Sequence, residues 1–116
     1  MQGYLGVTPP DDRDGALQDV HWYDGTVGGV FQGYTLGNIM SVLFFERAVK
    51  VHPSIPDEIG RGRFTTLHGW LRESIYRHGR KFTTPELLER VTGSPEINIG
   101  PYMNYLRHKF GEIYEL

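Results

Sequence analysis

Apolar positions first become periodic at Tyr34. From Tyr34 to Val51, Leu36, Ile39, Met40, Leu43 and Phe44 fall on one helical face, while Val42 and Phe45 cover much of the other. A helix that is apolar most of the way round belongs in the middle of a protein, or it exposes a patch that takes a partner. His52-Pro53-Ser54-Ile55-Pro56 ends it, because a residue before proline is pushed out of helical geometry. The clearest amphipathic pattern follows over Phe64 to His78. There Phe64, Leu67, Leu71, Ile75 and His78 recur at spacings of three and four, with Arg72, Glu73 and Arg77 outside and Glu73–Arg77 at i,i+4. Gly79 stops this helix. Thr83-Thr84-Pro85-Glu86 announces a short helix to Val91, with a hydroxyl cap and proline in its first turn, and Gly93-Ser94-Pro95 closes it. A last helix runs from about Pro101 to Phe110 and packs through Tyr102, Tyr105, Leu106 and Phe110.

Residues 1–33 follow a different rule. Eight of the fifteen glycines lie between positions 3 and 37, and Thr8-Pro9-Pro10-Asp11-Asp12 is a strong turn signal. Asp11 or Asp12 is placed to cap a short helix through Gln18. Asp24-Gly25 suits a hairpin between Val20–Tyr23 and Thr26–Phe31. The expected fold is therefore all-α: one small helical domain over 1–116, with an irregular glycine-rich N-terminal third (1–33) and helices over 34–116.

Composition narrows the chemistry. The 116 residues carry a net charge of −2, which offers no global field for nucleic acid or anionic membrane. Cysteine is absent, removing disulfides, thiolate metal sites and cysteine nucleophiles together. No apolar run approaches the roughly 18 residues of a membrane span. The first residues show no basic region before a hydrophobic stretch, so no signal peptide is expected and the expected location is cytoplasmic.

One stretch is dense in polar chemistry: Gly15-Ala-Leu-Gln18-Asp19-Val-His21-Trp22. In an extended segment Asp19 and His21 point the same way, with Gln18, Val20 and Trp22 on the other face. Such a pair can fix an imidazole tautomer and raise its basicity. The competing reading has Asp19 and Gln18 bonding loop backbone, Trp22 filling the core and His21 partly exposed. Histidines 21, 52, 68, 78 and 108 include no His-Glu-x-x-His pair, so no complete metal site is expected within the chain. The loop Gly25-Thr-Val-Gly28-Gly29 lacks the lysine and hydroxyl of a phosphate-binding loop. Arg77-His78-Gly79-Arg80-Lys81 reads as a solvated helix end, although a helix–turn–helix junction meeting phosphates has the same residues.

Gly15-x-x-Gln18-Asp19-x-His21-Trp22 resembles the Gly-x-x-Gln-Asp-x-His-Trp motif of M32 metallocarboxypeptidases, the carboxypeptidase Taq type. Tyr4-Leu5-Gly6-Val7 and Pro10-Asp11-Asp12 resemble the family's lead-in. Gly29-Val-Phe31-Gln-Gly-Tyr34-Thr-Leu36-Gly37-Asn38 is similar to its Phe-Pro-Thr-Tyr-x-Leu-Gly segment, with Gln32-Gly33 where the family has Pro-Thr. Tyr102 to Leu116 resembles the family's C-terminus. The resemblance implies the C-terminal portion of a large, mostly helical and often homodimeric enzyme that removes C-terminal residues from peptides with zinc or cobalt. The family's metal-binding His-Glu-x-x-His helix, third metal carboxylate and Ile-Arg-x-x-Ala-Asp motif lie upstream of the matching region, so no catalytic or metal residue and no cofactor is assigned here. It further implies that Gln18, Asp19 and His21 orient substrate or neighbouring groups, that Trp22 packs the loop and that Tyr34 approaches the substrate. Three readings follow: a catalytically incomplete carboxypeptidase portion that self-associates or pairs with a chain carrying the metal site, a stand-alone helical interaction or regulatory module, or, last in rank, a nucleic-acid binder using Arg72 to Lys81.

Overall fold

A computed structural model describes residues 2–25 and 29–115. Six α-helices account for most of it: α1 (Gln2–Leu5), α2 (Phe31–Val51), α3 (Ile55–Gly60), α4 (Thr65–Ser74), α5 (Thr84–Thr92) and α6 (Gly100–Tyr114). Three 3-10 turns, Ala16–Gln18, Val20–Trp22 and Tyr76–His78, complete the set, and no strand occurs among the described residues. The expected all-α class is what the chain adopts. The expected hairpin is not: Val20–Trp22 is a 3-10 turn and Phe31 already belongs to α2. Residues 26–28 of its second arm, and of the glycine loop, lie outside the described residues. None of the described helices is long and apolar enough to cross a membrane.

The chain divides into two compact units, residues 1–37 and 38–116. In the larger unit, α2 is the element the others line up against. Phe44 and Phe45 of α2 share an apolar groove with Leu67, Leu71 and Ile75. Arg47 and Val51 share a second cleft with Trp70 of α4 and Arg90 and Val91 of α5. Leu43 and Lys50 border a third, with Thr92 and the first turn of α6 at Pro101. α2 thus lines clefts shared with α4, α5 and α6. Its apolar surface is nevertheless only partly covered: Ile39 and Ala48 are buried, Leu43 and Phe44 half-buried, and Leu36 and Phe45 exposed.

Among the described residues, five hydrophobic residues form the core: Ile39, Ala48, Ile55, Leu88 and Val91. Ile55 owes its place to a helix that the proline-rich stretch concealed. Pro56 sits in the first turn of α3, where its missing N–H costs nothing, and the Ser54 hydroxyl donates to Glu58 Oε1 at 2.7 Å. The Thr66 and then the Ser54 hydroxyl bonds hold the Glu58 carboxyl below its ordinary value. The periodic segment 64–78 divides at Ile75 (φ −127°, ψ −64°), where α4 gives way to the 3-10 turn. The Glu73–Arg77 ion pair forms across that break.

α5 behaves as its sequence signals demand. The Thr83 N–H and hydroxyl both donate to Glu86 Oε2, at 2.8 and 2.7 Å. These bonds, the hydroxyl one first, hold the Glu86 carboxyl below its ordinary value. Gly93 ends the helix in the left-handed region at φ +88°, which a side chain would resist. α6 runs to Tyr114 and buries no residue fully; Tyr102 and Leu106 are half-buried, while Tyr105 and Phe110 are exposed.

Candidate functional site

The smaller unit has no buried hydrophobic side chain among its described residues, so hydrogen bonds and ring contacts shape it. Asp11 begins the order: its Oδ1 accepts from the Asp14 N–H at 2.8 Å, and the Asp12 carbonyl accepts from the N–H groups of Gly15 and Leu17. The short helix expected here is reduced to the 3-10 turn Ala16–Gln18, whose cap position is Gly15. A Cβ at Gly15 would lie 2.8 Å from the Pro9 ring, so glycine lets the turn close on the proline pair.

Asp19 then acts as cap to the next turn, Val20–Trp22, its Oδ1 accepting the His21 N–H at 3.0 Å. The same oxygen lies 2.7 Å from His21 Nδ1. Asp19 and His21 therefore do converge, through a capped turn and not through the extended segment the sequence suggested. The His21 ring bond, and after it the backbone bond, hold the Asp19 carboxyl below its ordinary value of 3.8. An ionised carboxylate only accepts, so His21 Nδ1 carries the proton in this pair. In the neutral ring Nε2 is then the acceptor, and the Tyr34 hydroxyl, 2.9 Å away, is its donor.

Two rings frame this Asp19–His21–Tyr34 chain. Phe31 lies 5.2 Å from the His21 ring, 6.1 Å from Tyr34 and 4.8 Å, edge to face, from Trp22. Edge-to-face packing of this kind adds about 0.5–1.5 kcal/mol beyond area burial. Trp22 is nevertheless 64% exposed, so it covers Phe31 without filling a core. Gln18 stands apart from the cluster: its Nε2 donates to the Arg13 carbonyl at 2.7 Å. Gln18 and Asp19 both bond backbone and His21 is half-buried, as the purely structural reading required, whereas Trp22 in a core is corrected to Trp22 on a surface.

What brings residue 34 back to residue 21 is a close backbone approach at Gly29. Its φ is +105°, and a Cβ there would stand 2.4 Å from the His21 carbonyl oxygen. The His21 carbonyl also accepts the Val30 N–H at 2.9 Å, and the Gln32 side chain donates to the Gly29 carbonyl at 2.8 Å. Gln32 thus ties the first turn of α2 to the loop before it. Gly29, Phe31 and Gln32 are positioning residues: sequence reasoning included all three in the 29–38 segment but assigned none of them a role in the site.

The cluster can exchange hydrogen bonds with a polar ligand through Tyr34 and His21, and it presents Trp22 as an apolar surface. It cannot by itself hold a metal. Among the described residues no group of three or more His, Asp or Glu side chains is placed to bind one, so the residues present do not fit a metal centre.

Comparison with known proteins places this geometry. The model of the family described as carboxypeptidase Taq (M32) metallopeptidase matches residues 1–110. Thermostable carboxypeptidase 1 of Thermus thermophilus is 38% identical over 111 residues, covering 96% of this chain and 21% of the relative. Carboxypeptidase 1 of Bacillus subtilis is 33% identical over 115 residues, covering 99% and 23%. The crystal structure of the M32 carboxypeptidase from Deinococcus radiodurans R1 superposes with a TM-score of 0.78 at 51% identity, covering 99% of this chain and 23% of that one. The chain thus spans between a fifth and a quarter of the length of these relatives. With the motif, the helical fold and nearly the whole length in agreement, this chain belongs to the M32 metallopeptidase family.

Proposed function

We propose that this chain is the C-terminal portion of an M32-type metallocarboxypeptidase, supplying the peptide-positioning part of a site whose metal is held by residues outside it. The observation that carries this reading is the hydrogen-bonded chain Asp19–His21–Tyr34, formed within a stretch that matches the family while no metal-binding group accompanies it among the described residues. In this reading Asp19 holds the His21 tautomer, the Tyr34 hydroxyl reaches the peptide, Trp22 lies along it and Gln18 stiffens the preceding turn. Zinc or cobalt, the metals the family resemblance implies, would bind elsewhere. The isolated chain would then be inactive.

The test has two arms. The purified chain, incubated with zinc or cobalt, is expected to retain no stoichiometric metal and to leave an N-blocked dipeptide intact; turnover overturns the reading. In the second arm the chain replaces the matching 23% of the Deinococcus radiodurans enzyme. A chimera that folds and retains its metal is expected to hydrolyse the dipeptide; one that folds, keeps its metal and does not hydrolyse refutes the assignment.

A second reading, a helical module that pairs with itself or another chain, is supported by the apolar groove of about 360 Å³ between Phe44, Phe45, Leu67, Leu71 and Ile75. Concentration-dependent mass in sedimentation favours it, and a monomer at every concentration removes it.

A further inference from the structure

A second constellation lies in the larger unit. α2, α4, α5 and the 3-10 turn Tyr76–His78 enclose a cleft of about 280 Å³ lined by Arg47, Val51, Trp70, Glu73, Ser74, His78, Arg90 and Val91. Its charge is one-sided. Arg47 and Arg90 supply two permanent positive charges, and the single carboxylate, Glu73, is bonded to Arg77. Among the described residues no carboxylate lies within 4.0 Å of either guanidinium or of the His78 ring. The chain as a whole is net −2, so this concentration of positive charge runs against the global balance. Ser74 and Trp70 add a hydroxyl and an indole N–H to the lining.

Two of the lining side chains, Arg90 and His78, also pack on one ring. The Phe82 ring carries the Arg90 guanidinium 4.4 Å from its centroid on one contact and the His78 ring 5.2 Å away on another. A stacked guanidinium loses less freedom when it binds, and its planar fork matches the oxygens of a phosphate or carboxylate. A cleft of about 280 Å³ has room for a small anion.

We propose that this cleft is a binding site for a small oxyanion, with the dianionic phosphate group preferred over a monoanionic carboxylate because two arginines are among the residues that line it. The site involves none of the residues of the Asp19–His21–Tyr34 cluster and stands or falls independently of the proteolytic reading.

The test follows the Trp70 indole and arginine Nε signals by NMR while the chain is titrated with inorganic phosphate, acetate or chloride at constant ionic strength. Trp22→Phe assigns the two indoles. Phosphate is expected to shift Trp70, Arg47 and Arg90 saturably, with acetate weaker and chloride without effect. Losing one charge-assisted partner should weaken binding about tenfold or more in Arg47→Ala and in Arg90→Ala, while Arg61→Ala, outside the cleft, changes nothing. Should Arg90→Ala fail to fold by circular dichroism, Arg47→Ala, which leaves the Phe82 stack intact, decides. Shifts that chloride reproduces, or that survive in Arg47→Ala, overturn the site; acetate binding as tightly as phosphate overturns the dianion preference.

Discussion

Replacing Gly29 by alanine tests the physical account of the Asp19–His21–Tyr34 cluster at its narrowest point. Two costs combine. A side chain at φ +105° is strained by about 1–3 kcal/mol wherever it occurs. The new Cβ would also stand 2.4 Å from the His21 carbonyl oxygen and 2.9 Å from that of Trp22, and both neighbours are backbone, which cannot rotate away. The least movement that relieves the clash breaks the Val30 N–H bond to His21, a further loss of about 0.5–1.5 kcal/mol. The sum, about 1.5–4.5 kcal/mol, falls on a unit with no buried hydrophobic side chain among its described residues to oppose it. The segment should therefore open locally while the larger unit stays folded. Amide hydrogen exchange reads this directly: Val30 should lose its protection in Gly29→Ala, while amides of α5 exchange as before. The His21 ring signals should move to those of a free imidazole in the same sample. Val30 protection within about threefold of the unmodified chain would refute the close approach, and with it the account of how Tyr34 reaches His21.

Three further outcomes are expected. Leu88→Ala, at a residue 1% exposed, should cost about 2–5 kcal/mol, seen as a lower urea midpoint with an unchanged slope. Glu86→Ala should destabilise the chain at neutral pH. Because the folded Glu86 carboxyl titrates below its ordinary 4.5, its contribution is complete above that value and disappears as pH falls through the depressed one, so the two melting curves should converge in acid. In the metal-loaded chimera, Tyr34→Phe keeps the ring contacts but removes the hydroxyl donor to His21 Nε2, and should lower kcat/KM by about three- to tenfold with metal content unchanged.

Much of the helical architecture was legible because its signals are local. The Thr83–Glu86 capping box and Gly93 bound α5 as the sequence suggests, and Glu73–Arg77 pairs at its i,i+4 spacing. Errors came where one local signal has two structural meanings. Proline after His52 ends α2, yet Pro56, three residues on, opens α3 and sends Ile55 into the core. The apolar periodicity suggested that α2 starts at Tyr34, whereas the Gln32 side chain anchors a start at Phe31. The 64–78 periodicity continues unbroken through Ile75 although the backbone changes from α to 3-10 there, because 3.6 and 3.0 residues per turn are indistinguishable over so few positions. In the site, Asp19 and His21 were recognisable as a pair, being two residues apart. Tyr34 is thirteen residues from His21, and its hydrogen bond depends on the backbone conformation at Gly29, which no residue pattern announces.

The unequal distribution of buried hydrophobic side chains has a calorimetric consequence. The heat-capacity increment of unfolding arises chiefly from apolar surface newly exposed to water. Ile39, Ala48, Ile55, Leu88 and Val91 all belong to residues 38–116, so the heat absorbed in a scanning experiment reports that unit almost alone. Residues 1–37, which carry the Asp19–His21–Tyr34 chain, would come apart with little thermal signature. Two variants with superimposable thermograms can therefore differ completely in whether His21 still meets Tyr34.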